Sequence, residues 1–333
     1  MSVFDLLKKQ VEKADKKPRI VFPEGEDRRI LQAASRLQAE GLIEAIILGV
    51  PTKVRALAEA AGIDLTGIQI VDFLNYPGID QMAAAFIAAR NKDISLEEAK
   101  KQLESAAYFG TMYVKLGKAD GMVAGAAHST ADTVRPALQL IHTASGMHRV
   151  SGSFIMERGA DKYVFADCAI NIEPDAETLV EIAYQSVQTA KMINLEPRLA
   201  FLSFSTKGSA KGEMVTKVAE AAALFKQRYP QILADGELQF DAAFVPEVAQ
   251  SKAPDSEIKG QANIFIFPEL QSGNIAYKLT QRLGGFTAVG PILQGLAAPI
   301  NDLSRGASSQ DVYDMALLTA AQSLQGDYNE TGN

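Results

Sequence analysis

The chain has 333 residues, 47% of them apolar, 22% charged and 7% aromatic, with 33 basic against 40 acidic side chains for a net charge of −7. That composition excludes global disorder. The acidic balance excludes a surface that coats nucleic acid, which needs basic patches to displace counterions. The length is enough for two domains, each with its own core.

In chain order, Met1 to Pro18 is an amphipathic, lysine-rich stretch without the apolar core or small-residue cleavage site of a secretory signal. With a single cysteine, Cys168, there is neither an internal disulfide nor a metal site built on several thiolates. Both features imply a cytoplasmic protein. Short Val-, Ile- and Phe-rich runs then alternate with stretches of helical period, which predicts an α/β fold with parallel strands. Strands are predicted at 19–23, 45–49, 69–73, 121–125, 163–169, 199–205, 242–245, 264–267 and 287–290. Glu26 to Gly41 reads as a helix, with Ile30, Ala33, Ala34 and Leu37 on one face and Gly41 as its stop. Pro174 suits the first turn of a helix carrying Leu179, Ile182, Ala183 and Val187. The glycine-containing stretch from Thr143 to Arg158 separates two series of βα units. The uncharged run Leu283 to Asn301 is broken by four glycines and two prolines, so it reads as a buried strand followed by tight turns, not a membrane span. The polar end, Gln325 to Asn333, is expected to fray.

The chain contains no glycine–lysine phosphate loop, GxGxxG, HExxH or GxSxG. His128, His142 and His148 lack metal-ligand spacing, and hydrogen bonding accounts for such residues without a metal. Three strand-to-helix junctions carry polar groups where α/β sheets bind ligands. The first presents His128, Ser129 and Thr130, either as an anion or acyl-oxygen site or as a plain helix cap. The second presents Ser205, Thr206 and Lys207, with an anion site and an ordinary solvated loop as alternatives. In the third, Arg305 offers a planar fork of donors for phosphate beside Ser304, while Ser308 and Asp311 also fit the S-x-x-D capping pattern. Cys168, inside an apolar strand, reads as an inert buried thiol.

The blocks PEGEDRRIL, YFGTMYVKLGKADGMVAGAAHSTADTVRPALQ, VFADCAIN, FLSFSTKGSAKG, FPELQSGNIAYKLTQRL and GPILQGLAAPINDLSRG together resemble the phosphate acetyltransferases, within the phosphate acetyl/butyryltransferase family. The resemblance spans essentially the whole chain. It implies two α/β/α three-layer domains similar to isocitrate and isopropylmalate dehydrogenases, residues 1–144 plus 293–333 and residues 145–292, with the active site in the cleft between them and a homodimer as the assembly. The substrates implied are acetyl-CoA, CoA, phosphate and acetyl phosphate, with no metal, no cofactor, and neither nucleic acid nor membrane as partner. By motif, the resemblance makes Ser304, Arg305 and Asp311 catalytic, and gives Arg135 and, on a less distinctive match, Arg90 to CoA or phosphate. Attack of the CoA thiolate on the acetyl carbonyl in a ternary complex, with Asp311 as base, is the mechanism expected. An ordinary aspartate near ~3.9 faces a thiol near ~8.5, a gap of about 6 kcal/mol, so this mechanism requires burial of the acid or stabilisation of the thiolate by arginines. A longer acyl chain, a nicotinamide-dependent hydroxyacid dehydrogenase of similar fold and a catalytically silent acetyl-CoA-binding module are the competing readings.

Overall fold

The computed structural model describes residues 1–91 and 93–325, so the end expected to fray lies, beyond Gln325, outside the described residues. Eleven strands are present among these: β1 (Arg19–Phe22), β2 (Glu44–Leu48), β3 (Gln69–Val71), β4 (Gly121–Ala124), β5 (Ser151–Arg158), β6 (Asp161–Ala166), β7 (Arg198–Leu202), β8 (Leu233–Leu238), β9 (Ile264–Ile266), β10 (Thr287–Gln294) and β11 (Ile300–Asp302). The chain divides into two compact units, a first of residues 4–145 and 296–333 and a second of residues 1–3 and 146–295. No helix among the described residues is long and apolar enough to cross a membrane.

The first unit holds a fully parallel sheet in the order β11-β4-β1-β2-β3. Parallel strands covered on both faces read as continuous apolar runs, and β1, β2 and β4 are such runs, buried nearly throughout. The covering helices can be placed from two adjacent residues of β4, whose side chains must point to opposite faces. A Cβ on Gly121 would lie 2.7 Å from Thr319, on the helix Ser309–Ser323, while the sulfur of Met122 sits 2.8 Å from where a Cβ on Gly110 would be, on the helix Ala106–Lys115. One helix therefore lies on each face, giving three layers. The helix Arg28–Ala39 begins where Asp27 Oδ1 accepts from the Arg29 amide at 2.8 Å, and it buries Ile30, Leu31, Ala33, Ala34 and Leu37.

The second unit has a mixed sheet, β10-β5-β6-β9-β7-β8, in which β5 runs antiparallel to both neighbours. Ser151 of β5 reaches Gln185 on the helix Ala176–Met192, while Phe154, of opposite parity, stacks at 4.0 Å on Tyr277 of the helix Leu270–Arg282. This sheet too is sandwiched between helices.

Local expectations fail in four places. The stretch read as a separator contains β5, whose polar Ser151 is buried and paired with Gln185 and Gln294 from far along the chain. Ala242 to Val245 is not a strand but mostly the short helix Phe240–Phe244, an apolar run too brief for periodicity to type. The strand of that region is β8, whose Asp235, Gly236 and Glu237 disguise it. Part of the run read as turns after Leu283 is β11, and Pro174 precedes the helix whose N-cap is Asp175.

Glu40 ties three helices of the first unit together. It accepts from Lys8 at 2.6 Å, Arg36 at 2.8 Å and the Tyr313 hydroxyl at 2.8 Å. Burial alone would raise its pKa, but these three donors outweigh burial and hold it at about 2 instead of the ordinary 4.5. A depressed carboxyl pKa contributes stability that is complete above the unfolded value and is lost as pH falls through the folded one. Urea unfolding followed from pH 5 to pH 2 should therefore show a stability loss that is shallower in Glu40→Gln; equal slopes in the two proteins would exclude this role.

Candidate functional site

Strands β1, β4 and β11 are neighbours, and their carboxyl ends open on one edge of the first unit, where parallel sheets bind ligands. The loop after β1 carries Glu24, whose side chain is 3% exposed. Its carboxylate accepts from the amides of Ala126 and Ala127, both at 2.8 Å, and lies 2.7 Å from His128 Nδ1. A buried charge needs such donors, and the loop after β4 supplies all three. Gly125 makes the turn possible at φ +104, and a Cβ there would fall 2.7 Å from Leu303 O and closer still to Asp302 Oδ1.

Arg29 joins this loop to the one after β11. Its guanidinium pairs with Asp27 at 2.7 Å and donates to Ala126 O at 2.7 Å, to Arg305 O at 2.9 Å and to Ala307 O at 2.7 Å. Ser304 and Arg305 are thereby held as an exposed turn, with Ser304 Oγ accepting from the Gly306 amide at 3.3 Å. Among the described residues, Arg90, Arg135 and Arg305 form no ion pair with a carboxylate.

Ser308 with Asp311, and Ser129 with Asp132, form capping boxes. Asp311 Oδ2 accepts from the amide and hydroxyl of Ser308 at 2.7 and 2.8 Å, and Asp132 does the same for Ser129 at 3.1 and 2.6 Å. The hydrogen bonds from Ser129, its hydroxyl first, hold Asp132 below the usual carboxyl range. Thr130, exposed, opens the helix Thr130–Pro136.

A cavity of about 600 Å³ lies at this edge, and Glu24, His128, Asp132, Thr133, Arg135 and Tyr108 are part of its wall. Such a volume suits a small-molecule ligand. The cavity gathers His128 and Arg135 of the expected residues; Ser129, Thr130, Ser304, Arg305, Asp311 and Arg90 are outside its lining. Arg90 ends the helix Ile79–Arg90, its Nε buried without a hydrogen-bond partner among the described residues. Beneath the two loops, Asp302 is 2% exposed, and burial pushes its carboxyl above the usual range, with Glu24 and Asp132 adding repulsion.

Ser205, Thr206 and Lys207 belong to the second unit and have partners of their own. Ser205 donates to Glu237 at 3.0 Å, Thr206 Oγ1 accepts from the Gln239 amide at 3.0 Å, and Lys207 pairs with the buried Asp235 at 2.6 Å. Cys168 is fully buried, which pushes its thiol well above the ordinary range. His142 bonds Ala89 O at 2.8 Å and His148 bonds Glu181 at 2.9 Å. Among the described residues, no cluster of three or more His, Cys, Asp or Glu has the arrangement of a metal site.

Sequence reasoning assigns no role to Glu24, Arg29 or Asp302. A carboxylate directly after a buried apolar strand, in PEGE, is the one signal that could have found Glu24. Apart from Asp27, the partners of Arg29 are carbonyls of loops that follow β4 and β11, strands whose adjacency the sequence does not state.

A family profile described as phosphate acetyl/butaryl transferase matches residues 2–320. The phosphate acetyltransferase of Bacillus subtilis (strain 168) is 56% identical over 311 residues, covering 93% of this chain and 96% of that protein. A crystal structure of a phosphotransacetylase from Streptococcus pyogenes superposes with a TM-score of 0.94 at 53% identity, covering 97% of this chain and 99% of that one. A phosphotransacetylase from Staphylococcus aureus gives 0.91 at 48% identity, covering 97% and 98%.

Because the Gly125 turn leaves no room for a Cβ, Gly125→Ala should cost about 2 kcal/mol or more of stability. Denaturant unfolding checks this, and a variant as stable as the parent would show that the turn adapts.

Proposed function

The chain belongs to the phosphate acetyl/butaryl transferase family, and we propose that it transfers an acetyl group reversibly between CoA and inorganic phosphate, acetyl-CoA plus phosphate giving acetyl phosphate plus CoA. The observation that carries this reading is the 56% identity, over nearly the whole of both chains, to a phosphate acetyltransferase. The geometry supports it: acetyl-CoA, phosphate, acetyl phosphate and CoA are all anions, and among the described residues Arg135 on the cavity wall and Arg305 on the adjoining loop form no ion pair with a carboxylate.

In this proposal the reaction is direct attack of CoA sulfur on the acetyl carbonyl within a ternary complex. Arg305 holds the phosphoryl group through its planar fork and stabilises charge on the leaving oxygen. Ser304, whose oxygen already accepts from Gly306, has its proton free to donate to the carbonyl or phosphoryl oxygen as charge grows there. Arg135 and Arg90 bind CoA or phosphate. Asp311 completes the catalytic trio that the resemblance implies, and its capping box fixes the start of the helix that follows the Ser304–Arg305 turn. Ser129 and Thr130 stand beside the same loop, while the partners of Ser205, Thr206 and Lys207 favour a loop-building role for that group. CoA and phosphate are substrates here, and neither a metal nor a cofactor enters the scheme. Homodimeric assembly and a cytoplasmic setting, implied by the resemblance, belong to the same proposal.

Purified protein should form acetyl-CoA from acetyl phosphate and CoA, and should use butyryl phosphate less well. A butyryl preference would move the chain to the longer-acyl branch of the family. Arg305→Gln should lose at least 100-fold in kcat/KM with the fold intact by circular dichroism, and denatured enzyme quenched during turnover should carry no stoichiometric acetyl label. Cys168→Ala, removing a thiol that burial keeps protonated, should retain most activity; a loss above tenfold would assign Cys168 a part in the chemistry.

A further inference from the structure

In the acyl transfer proposed above, Arg90 and Arg135 bind an anionic substrate from two different helices, so the chain needs a device that holds one in register with the other. Arg135 is the next-to-last residue of the helix Thr130–Pro136. Pro136 has no N–H to donate, and its ring crowds the carbonyl four residues back, so a regular α-helix is not favoured past it. The chain widens there into a π turn, Ala137–Ile141, closed by the amide of His142 on Ala137 O at 3.3 Å, five residues back. Such turns are rare and recur at functional sites. Three contacts pin this one. Tyr108, on the cavity wall, donates its hydroxyl to Gln139 at 2.7 Å. The carbonyl of His142 accepts from the Ala297 amide at 3.0 Å, in the segment that leads to β11. The His142 ring reaches the helix Ile79–Arg90, its Nε2 bonding Ala89 O at 2.8 Å, and because a carbonyl only accepts, Nε2 carries the hydrogen. Carbonyls in the last turn of a helix have no partner within it, so this bond fixes the turn that bears Arg90. Arg90 is itself uncommitted: among the described residues it forms no ion pair, and its buried Nε has no hydrogen-bond partner. The backbone of His142 is strained, for at φ 64 and ψ −176 it occupies a region that glycine alone enters freely. Glycine would relieve that strain, and the bond to Ala89 is what glycine would lose.

We propose that His142 is a positioning residue for CoA binding: through Ala89 it holds Arg90 in register with Arg135, and Tyr108 supports it by fixing the π turn between them. The two guanidiniums then act as a pair on the phosphates of CoA. CoA is the substrate that fits, because the cavity wall that carries Arg135 also carries Leu48, Phe73 and Tyr108. A ligand taken up there combines anionic groups with a large, partly apolar body, which describes CoA and acetyl-CoA but neither phosphate nor acetyl phosphate. Arg305, on the turn after β11, is left to the phosphoryl group.

The inference rests on the acyl-transfer reading, and calorimetric titration with CoA separates the two. If the unaltered protein binds CoA but makes no acetyl-CoA from acetyl phosphate, that reading fails while the role of His142 is still decided by CoA affinity; if it binds no CoA, both fail. His142→Gly should unfold in urea no earlier than the parent and weaken CoA binding about fivefold or more, the worth of one such hydrogen bond. KM for CoA should rise equally, with kcat and the KM for acetyl phosphate changed less than twofold. His142→Gln, whose side-chain amide can donate to Ala89 O, should bring CoA affinity back to within about twofold of the parent. In an Arg90→Ala background, His142→Gly should weaken CoA binding by less than twofold, since nothing is left to position. If His142→Gly proves unstable, Tyr108→Phe, which removes only the hydroxyl on Gln139, carries the same test with a loss of about twofold or more expected. Parent-like CoA affinity in these variants, a loss undiminished in the Arg90→Ala background, or a fall in kcat with KM for CoA unchanged would overturn the assignment.

Discussion

The buried carboxylate of Glu24 constrains everything at the candidate site. A charge with 3% of its side chain exposed is tolerable only when its oxygens are met by good donors, because an uncompensated buried ion costs several kcal/mol. Residues of the β1 loop cannot supply them all, so the requirement passes to the loop after β4. That loop turns at Gly125, aims the amides of Ala126 and Ala127 at the carboxylate, and brings His128 in behind them. PEGE and GAAH are thus two halves of one interaction, and neither loop has a reason to hold its shape without the other.

The same economy reaches the end of the chain. β11 adds to the sheet beside β4 with Asp302 opposite Ala124, so the loops that follow the two strands leave neighbouring strand ends. Arg29 then occupies the gap between the two loops, its five donors divided among Asp27 and three backbone carbonyls. A lysine could meet Asp27 but could not span the carbonyls of both loops with a rigid planar fork. The helix Ser309–Ser323 packs on β4, so the segment that begins with the Ser308–Asp311 cap is anchored to the sheet that carries His128.

How far the sequence speaks follows from how local each interaction is. β1, β2 and β4 are legible because strands covered on both faces must be apolar at every position, and the Ser308–Asp311 capping box is legible because Ser and Asp stand three residues apart. β5 and β8 are obscure because they bury polar side chains whose partners, Gln185 and Gln294 for one and Lys207 and Lys226 for the other, lie on other elements. The site follows the same rule. Arg135 and Arg305 are visible as residue types suited to anions, and His128 by its place after a strand. Glu24 stays silent because its meaning is a contact spanning about a hundred residues.

The net charge of −7 then poses a problem for a protein proposed to bind anionic substrates, since five carboxylates, Glu24, Glu26, Asp27, Glu104 and Asp132, line the cavity itself. The hydrogen bonds resolve much of it. Glu24 is met by two amides and a ring nitrogen, Asp27 by the Arg29 guanidinium and amide, and Asp132 by Ser129. Carboxylates so occupied face their donors, and their field at the ligand position is partly cancelled by the dipoles that hold them. Among the described residues, Arg135 and Arg305 form no ion pair with a carboxylate, so their potential is less compensated, although Asp132 acts on Arg135 across the helix. Local positive potential here is produced less by adding basic residues than by committing the acidic ones to the backbone.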